Sequence, residues 1–342
     1  MCSISSLVAL QCLIMMMVAG TGIHALSSRP TVLITGSTDG IGLTTAKNMA
    51  QKGYHVILHG RDEARIRRAC DAVRAFVQHY HQDQSSKEEI DTPIMIESVQ
   101  ADLSTVRGCE LLATRVQSLC RRDDKDLQHL SVLMNNAGVY SPDLVITADG
   151  TELTFAVNVL APFVITSILL PQLLRKDKTT TTTPTAPTIP GSRIIIASSI
   201  SQCRSMQDDN WDDLTYQKRR YSAHGAYSES KLCDAMLAME FAERLQKAGY
   251  GVQDITCNSL DPGTVNTKML LAGWGPCGID VEDALDETFL CSSPTVQGVT
   301  GRYFRWRTEG RSDYSAGERD KLWKVLSDLA PSAAEMWKFD WK

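Results

Sequence analysis

The chain has 342 residues, 43% of them hydrophobic and 22% charged, enough to bury a sizeable core without help from metals or disulfides. A formal charge of −5 with no sustained basic run argues against nucleic acid as a partner, because such binders carry a basic face. The ten cysteines show neither a CxxC pair nor the Cys/His spacing of a metal site, so they read as free thiols and no metal is expected.

Residues 7–18 form a nearly continuous apolar run broken by Gln11 and Cys12. It is short for a membrane span, which needs about 20 apolar residues. It fits the apolar core of a signal peptide, with Ala25 as a cleavage position, and a retained anchor that holds the chain to a membrane is the alternative. No Lys or Arg precedes the run, and no N-x-S/T sequon occurs anywhere. Residues 1–28 are therefore set apart from the folded domain, 29–342. The expected address is the secretory pathway, the endoplasmic reticulum or an organelle reached through it.

From Pro30 onward short apolar runs alternate with helical periodicity. Strands are predicted over 31–35 (TVLIT), 54–58, 93–101, 130–135, 193–197, 252–259 and 302–305. Helices are predicted from the first glycine turn to Lys52, then over 62–79, 105–121, 151–174 and 225–248. This alternation implies parallel βαβ units, hence one α/β domain with a Rossmann-type doubly wound sheet of about seven strands. Two stretches break the rhythm. Residues 81–91 are a polar insertion, and 178–190 (KTTTTTPTAPTIP) are Thr/Pro-rich. The latter has too little apolar surface to offset the entropy of ordering and is expected to be a disordered loop, or less readily an interdomain linker.

Gly36-Ser37-Thr38-Asp39-Gly40-Ile41-Gly42 follows the first strand and opens a helix. Glycines there let the backbone turn tightly and approach a pyrophosphate, while the helix N-terminus offers free N–H groups. The end of the second strand reads Leu58-His59-Gly60-Arg61. An acid at that point would bind the ribose 2′-hydroxyl of NAD, whereas an arginine suits the 2′-phosphate of NADP. Arg61 therefore favours NADP(H), unless it is only a solvated residue at a helix start.

Tyr227-Ser228-Glu229-Ser230-Lys231 puts a phenol and an ammonium on one helix face. A nearby cation favours the phenolate and fits the phenol for proton transfer to or from a carbonyl or alcohol oxygen. Ser199 closes the fifth strand, where its hydroxyl can donate to a developing oxyanion or satisfy a strand-end backbone group; Ser198 is the fallback. Asn158 is a poor helix former inside an apolar helix, which calls for a reason.

The order TGxxxGIG, then Asn135-Asn136-Ala137-Gly138, then Ser and YxxxK, resembles the short-chain dehydrogenase/reductase family over roughly residues 31–267. The resemblance implies an oxidoreductase moving hydride between nicotinamide and a carbonyl or alcohol carbon. It implies Tyr227 as acid or base, Lys231 as tuner of that phenol and holder of the ribose, and Ser199 as the group orienting the substrate oxygen. Asn158, through a distortion of its helix, would hold a water linking Lys231 to solvent. Asp102 would contact adenine, and Asn136, Ala137 and Gly138 would line the cofactor. Pro262, Gly263, Thr264 and Val265 would close over the nicotinamide, while Asp261 reads as local turn chemistry. The long stretch 200–224 resembles the retinol-dehydrogenase-like branch and suggests a lipophilic small-molecule substrate. Residues 269–300, with Trp274, are expected to form its lid. The competing class is a sensor or scaffold that binds NADP(H) without turnover. Homo-oligomerisation through the Lys231 helix is common in the family, and the tail after Thr308 could block it.

Overall fold

A computed structural model of the chain describes residues 29–83, 94–120, 129–174, 191–311 and 313–340. The expectations for 1–28 and 178–190 lie outside these residues, as does most of the polar insertion.

The chain order is β1 (Thr31–Ile34), α1 (Gly40–Gln51), β2 (His55–Gly60), α2 (Glu63–Asp83), β3 (Ile96–Gln100), α3 (Val106–Cys120) and β4 (Leu130–Asn135). Then come α4 (Leu153–Leu173), β5 (Ser192–Ala197), α5 (Ala223–Lys247), β6 (Ile255–Asp261), α6 (Lys268–Gly273), α7 (Asp286–Ser292), β7 (Tyr303–Arg305), β8 (Thr308–Glu309) and α8 (Ala316–Leu329). The strands form one sheet in the order β3-β2-β1-β4-β5-β6-β7-β8. Every pairing is parallel except β7 with β8.

Side chains alternate across a strand, and here both faces are covered. Leu33, Ile57, Leu133 and Ile194 join a core with α3, α4, α5 and α8. Their neighbours Val32, Ile34, Val56, Leu58 and Ile195 join a second core with α1, α2 and α7. Burial on both faces explains why these strands are unbroken apolar runs and not alternating ones.

The eighth strand exceeds the expected count. Trp306 and Arg307 both have positive φ, 54° and 59°, the backbone of a two-residue hairpin turn that right-handed sheet twist favours. Such turns normally advertise themselves through Asn or Gly, and Trp-Arg gives no such signal.

Strand order reverses between β1 and β4. In open α/β sheets this point leaves a crevice at the carboxyl ends of the strands, and the glycine turn and the Asn135–Gly138 segment both emerge there.

Helix α4 is the one described helix long and apolar enough to cross a membrane. It is buried along most of its length between β4 and the C-terminal segment and so reads as a core helix.

Candidate active site

The glycine turn is built by three separate constraints. Gly36 and Gly40 adopt φ of +64° and +55°, where side chains with a Cβ are strained. At Gly42 the obstacle is space, because a Cβ would lie 2.4 Å from Asn136 Nδ2 and 2.7 Å from the Gly36 carbonyl. Asn136 fills that space by donating from Nδ2 to the carbonyls of Thr35 (2.7 Å) and Gly36 (3.2 Å). The Thr35 hydroxyl in turn accepts from the N–H groups of Asn136 and Ala137, each at 3.0 Å. The segment after β4 thus holds the turn after β1.

From the other side, His59 supports the turn. Its Nδ1 accepts from the Gly36 N–H (3.0 Å) and its Nε2 lies 3.2 Å from the Ala101 carbonyl, which fixes the neutral tautomer with the proton on Nε2. Burial depresses its pKa to about 4, so the ring stays neutral at physiological pH.

Ser37 departs from the expectation that it binds cofactor. Its hydroxyl donates to the Ile34 carbonyl (2.8 Å) and accepts from the His59 N–H (2.9 Å) beneath the turn, and the residue is fully buried and off the cleft wall. Asp39 caps α1 by accepting from the Gly40 N–H (2.9 Å), and it pairs with Arg65 (3.2 Å) and Lys268. These cations, Lys268 first, hold its carboxyl below the usual range.

A cleft of about 940 Å³ runs over the carboxyl ends of the strands. Gly36, Thr38, Asp39, Gly40, Ile41 and Gly42 line one end, with Arg61 and Asp102 beyond them. Asn136, Ala137 and Gly138 line the middle, and Pro262, Gly263, Thr264 and Val265 the rim. Position 60 has no room for an acid, since a Cβ there would meet Thr38 Cγ2 at 2.5 Å. Asp62 also faces the cleft but accepts the Arg65 N–H at 2.7 Å as a helix cap.

At the other end Ser199, Tyr227 and Lys231 share one wall. The two serines separate cleanly. The Ser198 hydroxyl is buried and donates to the Lys231 carbonyl at 2.6 Å, whereas Ser199 lines the cleft together with Tyr227. Lys231 donates to the Ala197 carbonyl (2.7 Å) and to Asp234 (2.8 Å), and its Nζ lies 5.6 Å from the Tyr227 ring centre.

Asn158 does not line the cleft. It sits in a π-turn, Ala156–Leu160, that interrupts α4. There it donates to Ser230 Oγ (2.9 Å) and the Val139 carbonyl (3.1 Å) and accepts the Val139 N–H (2.8 Å). The helix distortion expected at this residue is present, and its side chain ties α4 to α5 and to the loop that follows β4.

The phenol does not follow the simple picture of a cation lowering its pKa. Burial raises the Tyr227 pKa, Lys231 and then the Ser199 hydroxyl offset only part of that, and Asp234 and Asp261 add to the rise. Burial alone would lower the Lys231 pKa, but the Asp234 carboxylate, followed by Tyr227, leaves it raised.

Several groups at this site had no signal in the sequence. His59, Asp234 and Glu287 belong to no motif, and Tyr140 and His224 come to the site only through the fold. Tyr140 Oη lies 2.9 Å from His224 Nδ1, and its ring packs edge-on against Tyr227 and tilted against Trp274, with centres 5.8 and 4.9 Å apart. Trp274 lines the cleft and packs against Tyr140, Tyr227 and His224.

The model of the short chain dehydrogenase family matches residues 30–181. Human retinol dehydrogenase 14 is 32% identical over 80% of this chain and 77% of its own length. Human polyprenol dehydrogenase is 26% identical over 87% of this chain and 84% of its own. A Mycobacterium paratuberculosis protein of known structure superposes with a TM-score of 0.61 at 23% identity, covering 88% of this chain and 92% of that one. A Shigella flexneri short chain dehydrogenase crystallised with NADP superposes at 0.54 and 22% identity, covering 80% and 95%. With this similarity and a sheet whose strand order opens its crevice beside the glycine turn, the chain is an oxidoreductase of the short-chain dehydrogenase/reductase family, in its retinol-dehydrogenase-like branch.

Proposed function

We propose that the protein is an NADP(H)-dependent oxidoreductase that interconverts a lipophilic alcohol and its carbonyl compound. The observation that carries this reading is the single cleft wall shared by Ser199, Tyr227 and Lys231, continuous with the glycine turn at its far end. The turn fits a dinucleotide: Gly36, Gly40 and Gly42 keep the floor clear of side chains, and α1 directs its free N–H groups at the place a pyrophosphate would lie. Arg61 would hold a 2′-phosphate, Asp102 the adenine edge and Lys231 the nicotinamide ribose.

The nicotinamide, when bound, supplies or accepts the hydride. The chain's part is proton placement. In reduction the Tyr227 phenol gives its proton to the carbonyl oxygen as hydride reaches the carbon; in oxidation the phenolate takes the alcohol proton. Ser199 holds the same oxygen through its hydroxyl. Lys231 keeps a positive charge beside the phenol, and Asn158 braces the loop that carries Gly138 and Val139.

Apolar side chains lining the cleft, among them Ile200, Leu270 and Trp274, support a lipophilic substrate. So do the names of the retinol and polyprenol dehydrogenases it resembles. The run 7–18 is proposed to direct residues 29–342 to the secretory pathway or endoplasmic reticulum, as a cleaved signal or a retained anchor, and extraction with carbonate separates the two.

Two variants test the reading. Tyr227→Phe is expected to lose turnover of a retinaldehyde or long-chain aldehyde probe by at least ~100-fold while NADPH still binds. Arg61→Ala is expected to weaken NADPH binding by about tenfold or more and leave NADH affinity nearly unchanged. Retained turnover in the first variant, or equal loss for both nucleotides in the second, would overturn the assignment. Binding of NADPH with no turnover of any carbonyl would favour the sensor reading.

A further inference from the structure

Asp234 lies one helical turn beyond Lys231 on α5 and is completely buried. Its Oδ2 accepts from Lys231 Nζ at 2.8 Å, while Oδ1 has no hydrogen-bond partner. An ammonium has three N–H groups. With one held by Asp234 and one by the Ala197 carbonyl, a third is left for the cleft that Lys231 lines. Both oxygens that fix its direction come from rigid elements, the end of β5 and the middle of α5.

The charge around the phenol is therefore not that of a lone cation. From α5 itself Lys231 and Asp234 act on Tyr227; the end of β5 supplies the Ala197 carbonyl and the loop after it the Ser199 hydroxyl. From β6 comes Asp261, and Glu287 on α7 acts on Lys231. Asn158 of α4 is committed to Ser230 and Val139. Asp261 shares its charge with Arg305 of β7, 3.6 Å away, so the carboxylate whose charge bears most directly on Lys231 is Asp234, in hydrogen-bond contact with it.

We propose that Asp234 is a positioning residue that aims Lys231 at the cleft and, through its charge, offsets the cation at Tyr227 so that the phenol serves as proton donor, setting the site for carbonyl reduction. This rests on the reading of Tyr227 as the acid–base group given above. The physical chemistry agrees. Burial pushes the Asp234 carboxyl up to about 7 against the pull of Lys231, so the carboxylate is formed throughout the range in which a phenol ionises.

Asp234→Asn separates the two roles, because the amide oxygen still accepts from Lys231 while the charge is gone. The ionisation of Tyr227 is read without turnover, from the ultraviolet tyrosinate band of the full chain. The same spectrum of a matching Tyr227→Phe protein is subtracted in each background. At a fixed pH of about 10, Asp234→Asn is expected to raise the Tyr227 tyrosinate several-fold, the effect of a midpoint lowered by ~1 unit. The alkaline limb of aldehyde reduction and the acid limb of alcohol oxidation should both move down with it. Asp234→Ser, also uncharged and smaller, gives the same reading if the amide is not accommodated. An unchanged tyrosinate fraction in a folded, uncharged variant overturns the proposal and leaves Asp234 a structural residue. A raised fraction with no change in either pH limb leaves the coupling standing and refutes Tyr227 as the acid–base group.

Discussion

Glu287 shows how a buried charge outside every motif can set the pH behaviour of the protein. It is 1% exposed; Thr45 donates to its Oε2 at 3.0 Å, and Oε1 has no partner. Burial drives its carboxyl from an ordinary 4.5 to about 7, more than Thr45 and Lys231 can offset. Between those pH values the folded chain holds a proton that the unfolded chain has released. The folded state is therefore favoured below about 4.5, and that advantage is lost as pH rises through 7. Glu287→Gln mimics the protonated form, so it should match wild type near pH 4, where the carboxyl is protonated in both folded and unfolded chain. Near pH 8 it should be more stable, by an upper limit of about 3 kcal/mol, or a few degrees in Tm. Thermal melts at the two pH values decide it; a shift equal at both would sink the assignment. At this scale the sequence was legible where a motif names a residue, as at Tyr227 and Lys231. Glu287 and Asp234 look like any surface acid until α7 and α5 bury them, because burial is a property of the fold and not of the local string.

At the scale of elements, β1, β2, β4, β5 and β6 came through because they are buried on both faces, and α1 to α5 because they are long. The helices beyond residue 248, α6, α7 and α8, were not anticipated, and local irregularities escaped as well. The π-turn at 156–160 has no periodic signature, and Asn158 marks it only as a misfit in an apolar helix. The hairpin at Trp306 and Arg307 uses positive φ without the residues that usually permit it. The extra residue of a π-turn rotates one side chain out of helical register, and here it presents Asn158 to Ser230 and to both backbone groups of Val139. Asn158→Ala should therefore leave a backbone N–H and C=O beside the cleft unpaired, at a cost of about 2–3 kcal/mol. Amide exchange at Val139, in the loop after β4, should quicken while β4 itself stays protected, and protection equal to wild type at Val139 would show that the turn does not need the side chain.

The whole molecule is closed by its C-terminal segment. Helix α8 and the residues after it cover α4 and α5, the latter being the Lys231 helix through which pairing was expected. Trp323 packs edge-on against Phe163 at 5.3 Å, and Trp337 stacks on Phe241 at 4.6 Å. Trp337 also donates from Nε1 to Ser167 at 2.7 Å. Arg319 clamps the same face by reaching Glu240 and Glu243, each at 2.7 Å. Such a face, once covered by the chain's own aromatics, is not free for a second copy, so residues 29–342 should sediment as a monomer. Removing the chain beyond residue 310 would expose Phe163 and Phe241 together, an apolar patch of the kind that drives association. The truncated chain should therefore dimerise or aggregate. Trp337→Ala alone should cost about 3–5 kcal/mol through the cavity it leaves, enough to lower Tm without freeing the whole face. Sedimentation equilibrium distinguishes the outcomes. A full-length dimer would mean that the pairing surface lies elsewhere, whereas a monomer that associates only on truncation places it beneath the tail.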